Sequence, residues 1–432
     1  MKQSKSVPQT VTNGLHRMLE EVMRQQSSVE SLVAMMLEGK LKKKGVRLST
    51  AEKQRLRDAA AEFHQTGNTS ALEKAVTRRR KIRITLSARD IEKLERVFPD
   101  VVETAVTATA RKFARSMEPG VLKWAEAASK WTRQVRKEFE ERNARTWKDP
   151  FRRYAHVREL AQQVLELAIA HFGEKRLLET SRLAKAMLLL YTRACLVAGE
   201  VETLMRAGYA DGAYARWRTL HEIAVTSSFL IERGEDAADR YLSHFVCEQL
   251  KAARSYEEHR QKLGYGPLRP KVLRDLEAEV DGLKQKYGED FRHDYGWAAH
   301  ALQKPRVNFS QIEEAVKLPF MRPFYRLASE QIHASSRGAI MRVGLIEQTA
   351  MDLKVLAGPS NYGFADAAMN SARALMLSAA CLGQVDATLD MNVTLMILAK
   401  WERPLVKSFV KVQLGIERRD RLLAKRAKKR QH

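Results

Sequence analysis

Residues 184–197 read AKAMLLLYTRACLV. Two charges, Lys185 and Arg193, interrupt an otherwise uncharged run. A helix that spans a bilayer needs about 20 consecutive apolar residues. This run is shorter and carries charge, so it reads as a helix buried in a protein core.

Outward from that run, the chain has the composition of a helical protein. Of its 432 residues 44% are hydrophobic, enough for a sizeable core, and the length allows two or three domains. Alanine, leucine, arginine, lysine and glutamate dominate, and all five are strong helix formers. Only 11 prolines interrupt them. The expected fold class is all-α: a multi-helix bundle body with a smaller basic helical N-terminal region. Cys195, Cys247 and Cys381 are odd in number and far apart, so no disulfide framework or CxxC zinc pattern is expected. Free thiols suit a reducing cytoplasm. The first residues, MKQSKSVPQTVTNG, lack the apolar segment of a signal peptide. A cytoplasmic location without membrane contact is expected.

Apolar positions recur at helical spacing from Leu15 to Leu37, with a gap near 25–28. That predicts two short helices, the second ended by Gly39. A further helix starts at Ser49 or Thr50 and ends near Gly67. Ile82, Ile84 and Leu86 alternate with Arg83 and Thr85, so 81–86 reads as one short strand. Ser87 caps a helix that Pro99 stops, and another runs to about Met117 before a turn at Pro119 and Gly120. The chain thus divides into a basic helical region over 1–118, a long charged linker helix over 119–150, a helical body over 151–415 and a basic tail over 416–432. Body helices are expected at 152–172, 176–207, 211–233, 236–262, 270–286, 309–317, 321–356, 362–388 and 390–413, with glycines between them. The tail is expected to extend the last helix.

The net charge is +24. Residues 1–150 hold 32 lysines and arginines against 19 acids, and residues 417–432 hold 8 against 2. The 266 residues between them carry only +5. A magnitude of roughly 2–8 suffices for the solubility of a small domain. Two basic ends on a near-neutral body form an electrostatic footprint for a polyanion; the alternative is charge kept for solubility. The clusters are Lys42, Lys43 and Lys44, then Arg78, Arg79, Arg80, Lys81 and Arg83, then Lys425, Arg426, Lys428, Lys429 and Arg430. The expected partner is nucleic acid, RNA ahead of DNA, held in a salt-dependent way.

The densest chemistry lies in 322–337, RPFYRLASEQIHASSR. Seven residues of helix turn about 700°, so on one helix Arg326 and His333 lie within about 20° of each other. Ser329 and Glu330 fall between them, and Arg337 lies one turn beyond. An imidazole can take the proton from a ribose 2′-hydroxyl, and a guanidinium can hold the phosphate. Glu330 would orient the imidazole or neutralise Arg326. Arg326, His333 and Glu330 are therefore the catalytic candidates, supported by Ser329 and Arg337. The plainer reading makes His333 a buried histidine satisfied by Glu330 or Ser329, with Arg326 in an ion pair.

Residues 216–222, RWRTLHE, place Arg218 and Glu222 four apart. They read as an ion pair holding one helix against its neighbour, or as supporting groups of the His333 pocket. Tyr241, His244 and Glu248 form a similar stripe and read as satisfied polar groups between helices. Glu330 and His333 also spell the Glu-x-x-His of di-iron bundles, but no second copy occurs in the body. Walker-A, GxGxxG, GxSxG and HExxH sequences are absent. No metal and no cofactor are expected.

The spacing of Arg326 and His333, with six residues between, resembles the Arg-x(4–6)-His motif of HEPN-type helical nucleases. Leu327 departs from the polar residue common there after the arginine. This resemblance implies metal-independent RNA cleavage at an interface between two copies, hence a homodimer. From about Leu183 to Asp352 the chain resembles the bacterial family catalogued as domain of unknown function 5677. The residues that carry the likeness are 215–222 (ARWRTLHE), Arg240, Tyr241, Leu242, Trp297 and 325–335 (YRLASEQIHAS). It implies an all-helical fold and no particular activity. The leading expectation is a HEPN-like metal-independent ribonuclease or toxin-type effector, placed in phage defence or stress by analogy of fold. The alternatives are a non-catalytic nucleic-acid-binding helical protein and a protein-interaction scaffold.

Overall fold

The computed structural model describes residues 29–66, 70, 88–346 and 357–431. Every regular element among the described residues is a helix, as the composition requires. The strand read at 81–86 and the first of the two N-terminal helices lie outside the described residues. The chain divides into two compact units, Met1–Arg133 and Gln134–His432.

In the first unit α1 (Val29–Lys43) packs on α2 (Thr50–Thr66). Val33, Ala34, Leu37 and Leu41 share one face of α1 and meet Leu56, Ala59 and Ala60. Gly39 does not end α1, contrary to expectation. A glycine inside a helix costs about 1 kcal/mol against alanine, and burial of Leu37 and Leu41 on either side outweighs it. The helix stops at Gly45, whose φ is +78°, with Val46 N–H reaching Leu41 O at 3.0 Å. At the start of α2, Ser49 N–H donates to Glu52 Oε2 at 2.8 Å and Glu52 N–H returns to Ser49 Oγ at 3.4 Å. This reciprocal cap fixes the predicted start.

α3 (Ala88–Thr146) runs for 59 residues through Pro99, Pro119 and Gly120, where breaks were expected. A proline removes one i→i−4 bond, and good helix formers on both sides can carry the helix across it. Around Pro119 the side chains are exposed, so the carbonyl left without its donor has water beside it.

The helices of the second unit, in chain order, are α4 (Lys148–Glu174), α5 (Leu177–Thr180), α6 (Arg182–Arg206), α7 (Ala210–Ser243), α8 (Phe245–Leu263), α9 (Pro270–Tyr287), α10 (Ala299–Leu302), α11 (Phe309–Ala315), α12 (Arg322–Glu330), α13 (Ser336–Ile340), α14 (Phe364–Gly383), α15 (Leu389–Lys400) and α16 (Glu402–Gln431). α6 packs on α4, α7 and α14, α14 packs on α4 and α7 as well, and α15 and α16 close over α4 and α14. The run 184–197 lies in α6: Ala184, Met187, Tyr191 and Ala194 are wholly buried, while Lys185 and Arg193 are exposed. α6 begins later than expected because Ser181 Oγ accepts Ala184 N–H at 2.9 Å. α7 passes Gly234 with a non-helical φ of 74° and stops at Ser243, so the helix expected at 236–262 is divided at His244. α14 is rich in small residues; buried Ala367, Ala368, Ser371 and Ala372 let its neighbours approach closely.

Asn143 Nδ2 donates to Met205 O at 3.0 Å and Arg206 O at 2.9 Å, satisfying the C-terminal carbonyls of α6. Trp147 is fully buried against Phe364 and Phe409, with ring centroids at 5.1 and 5.6 Å. α6 terminates at Gly208, φ +86°, where a Cβ would lie 2.5 Å from the Phe139 ring. The helix expected at 390–413 is divided at Trp401, and α16 continues through the basic tail to Gln431. No helix of the described residues is long and apolar enough to cross a membrane.

Candidate functional site

α7 positions the first part of the site. Tyr214, Trp217 and His221 lie on its core face and are buried. Arg218 and Glu222 follow them at the edge of that face, half-buried. Arg218 Nε donates to Glu222 Oε1 at 3.0 Å, four residues on. The ion pair read from the sequence is present.

α12 supplies the second part. Pro323, within its first turn, favours a helix start there. The helix packs on α7 and buries Tyr325, whose hydroxyl donates to Glu222 Oε1 at 2.6 Å. The Arg218 guanidinium lies 4.6 Å from the Tyr325 ring centroid and that of Arg322 lies 5.2 Å away. Two cations thus share one aromatic ring. Burial holds the Tyr325 phenol well above its usual range, and its hydrogen bond to Glu222 adds to that. Burial works against the Arg218 cation, but Tyr325 and Glu222 outweigh it and raise its pKa. Tyr325 therefore stays a neutral donor and Arg218 stays charged.

α11 brings the third part. Asn308 caps it in a reciprocal box with Gln311. Phe309, Ile312, Glu313 and Val316 recur at helical spacing, so an acid sits on the apolar stripe. Glu313 is wholly buried, and its Oε1 lies 2.7 Å from His221 Nε2. Its Oε2 is ion-paired with Arg322. A carboxylate only accepts, so His221 Nε2 carries the hydrogen in this contact. Phe309 stacks on Tyr325 at 5.1 Å.

The result is a half-buried cluster of two arginines, two glutamates, a histidine and a tyrosine that joins α7, α11 and α12. Its charges balance, and each ion is already paired. It ties three helices together before it does anything else. The sequence reading included Arg218 and Glu222 but gave no role to Glu313, Arg322 or Tyr325. The signal for Glu313 was an acid on a core-facing stripe.

The catalytic candidates lie elsewhere. The helix expected from 321 to 356 is interrupted: α12 ends at Glu330, a turn covers 331–335, and α13 begins under a Ser335 cap that accepts Gly338 N–H at 3.0 Å. Arg326 and His333 therefore do not share one helical stripe. The physical reason is a close return of the chain, since a Cβ on Gly338 would meet Glu330 O at 2.1 Å. Both Arg326 and His333 are exposed, and neither side chain makes a hydrogen bond or ion pair among the described residues. Glu330 Oε1 accepts from Arg337 Nη1 at 2.9 Å across the turn, and Ser329 Oγ donates to Tyr325 O at 2.8 Å.

His244 Nε2 lies 2.9 Å from His293 O and Tyr241 packs edge-on to Trp297, so that stripe lies between packed elements. Burial lowers the pKa of His244. No group of three His, Cys, Asp or Glu side chains among the described residues is arranged to hold a metal ion.

Of the basic clusters, Lys42, Lys43 and Lys44 are exposed at the end of α1. Arg78, Arg79, Arg80, Lys81 and Arg83 lie outside the described residues, as do the side chains of Lys428, Lys429 and Arg430. Lys425 and Arg426 are exposed on α16, and Arg418, Arg419 and Arg421 precede them, exposed as well.

Residues 184–349 match the profile of a family of unknown function, DUF5677. That interval coincides closely with the one over which the sequence resembled it. No curated protein and no solved structure matches the chain.

Proposed function

We propose that this chain is a non-catalytic helical protein that binds nucleic acid through its basic ends. One observation carries the reading. Arg418, Arg419, Arg421, Lys425 and Arg426 are exposed on α16, and none makes an ion pair among the described residues. The acids of the same stretch are Glu417 and Asp420, and Glu417 is engaged by the Tyr362 hydroxyl at 2.7 Å. By contrast, Arg182 is paired with Asp239, Arg216 with Glu200 and Arg373 with Glu402. Cations without partners are the ones a phosphate backbone can take up while releasing its counterions. RNA stands ahead of DNA because of the likeness of Arg326 and His333 to helical nucleases.

The test is fluorescence anisotropy of the full chain with a labelled single-stranded RNA across a salt series. The expected result is a log affinity that falls linearly with log salt. A flat line, or no binding at low salt, removes the reading.

A second reading, a metal-independent ribonuclease, is favoured by the exposure of Arg326 and His333 with no ion pair on either among the described residues. Their meeting at a phosphate would come from the turn at 331–335, not from helix spacing. Purified chain incubated with RNA and a chelator tests it. Cleavage that disappears in His333→Ala supports the reading; intact RNA, or cleavage that survives the substitution, ends it. A role in defence or stress depends on that activity.

A further inference from the structure

α3 carries a pattern that nucleic-acid binding does not use. Ala114, Val121 and Ala128 alternate with Met117, Trp124 and Trp131 at steps of three and four. That is the spacing of a coiled-coil seam. Val121 is 45% exposed, Trp124 43% and Trp131 58%. A row of large apolar side chains left in water on one helix face marks a place of contact.

The charge pattern names the occupant. Positions beside the seam are Glu118, Gly120, Ala125, Ala127 and Thr132, so neither the seam nor its flanks hold a cation. The cations of this stretch, Arg115, Lys123, Lys130 and Arg133, project from other sides of the helix. A phosphate chain laid along the seam would find nothing to pair with. A second copy of a chain with net charge +24 repels the first at their basic ends, but it meets no cation along this face.

Residue size fixes the direction. One set of seam positions is small throughout (Ala114, Val121, Ala128), and the other is large throughout (Met117, Trp124, Trp131). In a parallel pair each set meets itself, so tryptophan is crowded on tryptophan while alanine faces alanine across a gap. In an antiparallel pair each large residue faces a small one and the layers fill evenly. We propose that this face of α3 is the seam of an antiparallel two-stranded coiled coil between two copies of the chain.

Sedimentation equilibrium of the full chain is the experiment. A dimer is expected, and the double variant Trp124→Glu/Trp131→Glu halves the mass while its far-ultraviolet helix signal is unchanged, both side chains being exposed. A full chain that sediments as a monomer overturns the proposal, and so does a double variant that stays dimeric. If Trp124 and Trp131 of the monomer are shielded from iodide, another segment of the same chain covers them. If single-stranded RNA quenches them, the face belongs to nucleic acid. Either finding also overturns the proposal. Direction is read from Ala128→Cys under mild oxidation, beside the unaltered chain. Little added disulfide dimer is expected, and quantitative cross-linking through the new thiol overturns the antiparallel arrangement.

Discussion

The hydroxyl of Tyr325 reaches Glu222 at 2.6 Å across 103 positions of sequence, on the same carboxylate oxygen that Arg218 already holds. This shared oxygen joins α12 to α7. Tyr325→Phe removes the donor and leaves the ring, so a loss of about 1 kcal/mol is expected. Tyr325→Ala also removes the ring from Phe309 and from two guanidiniums, and a loss of about 3–5 kcal/mol is expected. Urea denaturation of both variants measures the difference. Equal losses would mean that the hydroxyl accounts for the tie and the ring does not.

Glu313 is wholly buried and serves both His221 and Arg322. Glu313→Gln keeps the shape and discharges one partner of each contact. Breaking a buried pair from one side costs roughly 3–5 kcal/mol. Because part of Arg322 is exposed, its guanidinium can turn to water, so the lower end is expected. The double variant Glu313→Leu/Arg322→Leu, measured in the same urea titration, should lose less than Glu313→Gln alone. A larger loss would show that the ion pair itself stabilises the fold.

Gly208 combines a left-handed backbone with contacts a Cβ cannot share, at 2.5 Å to Phe139 and 2.6 Å to Pro359. Gly208→Ala should cost about 2 kcal/mol or more and lower the melting temperature. Gly282 on α9 has nothing within 4 Å of a Cβ and no positive φ. Gly282→Ala should be neutral, or stabilising by up to about 1 kcal/mol. A melting temperature unchanged by Gly208→Ala would count against this account of the turn.

Asp239 accepts from Tyr287 at 2.5 Å, Arg182 at 2.8 Å and Lys286 at 3.0 Å. Burial alone would raise its pKa, but these hydrogen bonds outweigh it and hold the carboxyl at about 2. The folded value lies below the unfolded one, so the stabilisation is complete above about pH 4. It disappears as the pH falls through 2. Asp239→Asn should lose stability at pH 7, and its deficit against the unaltered chain should shrink between pH 4 and pH 2. A deficit that does not vary with pH would show that charge has no part in it.

Neutralising Arg418, Arg419, Arg421, Lys425 and Arg426 to glutamine should flatten the salt dependence of RNA binding. Each phosphate contact with a single strand contributes a slope of roughly 0.7, so up to about 3.5 could be lost. Five substitutions that leave the slope unchanged would place the binding surface elsewhere.

The fold was legible where local patterning and packing agree. The apolar run 184–197 gave α6, and Ser49 with Glu52 gave the start of α2. It was illegible where a distant segment decides. Nothing local in residues 331–335 forbids helix; the chain turns there because Gly338 comes back against Glu330 O. Gly39 and Pro119 misled in the opposite sense, because a single helix breaker is outweighed by its neighbours. Two of the six members of the polar cluster, Arg218 and Glu222, were visible. The part on α11 and α12 needed the packing of those helices, and only the acid at 313 among apolar neighbours hinted at it.

α16 is anchored at one end, where Leu405 and Phe409 are fully buried, and it stays helical through Arg426. At about 1.5 Å per residue, the 17 steps from Phe409 to Arg426 set the charged turns about 25 Å from their anchor. A rod of that length transmits force. Cargo gripped at the far turns would tug on Phe409, and through it on the indole of Trp147, so load at the tip is felt in the interior.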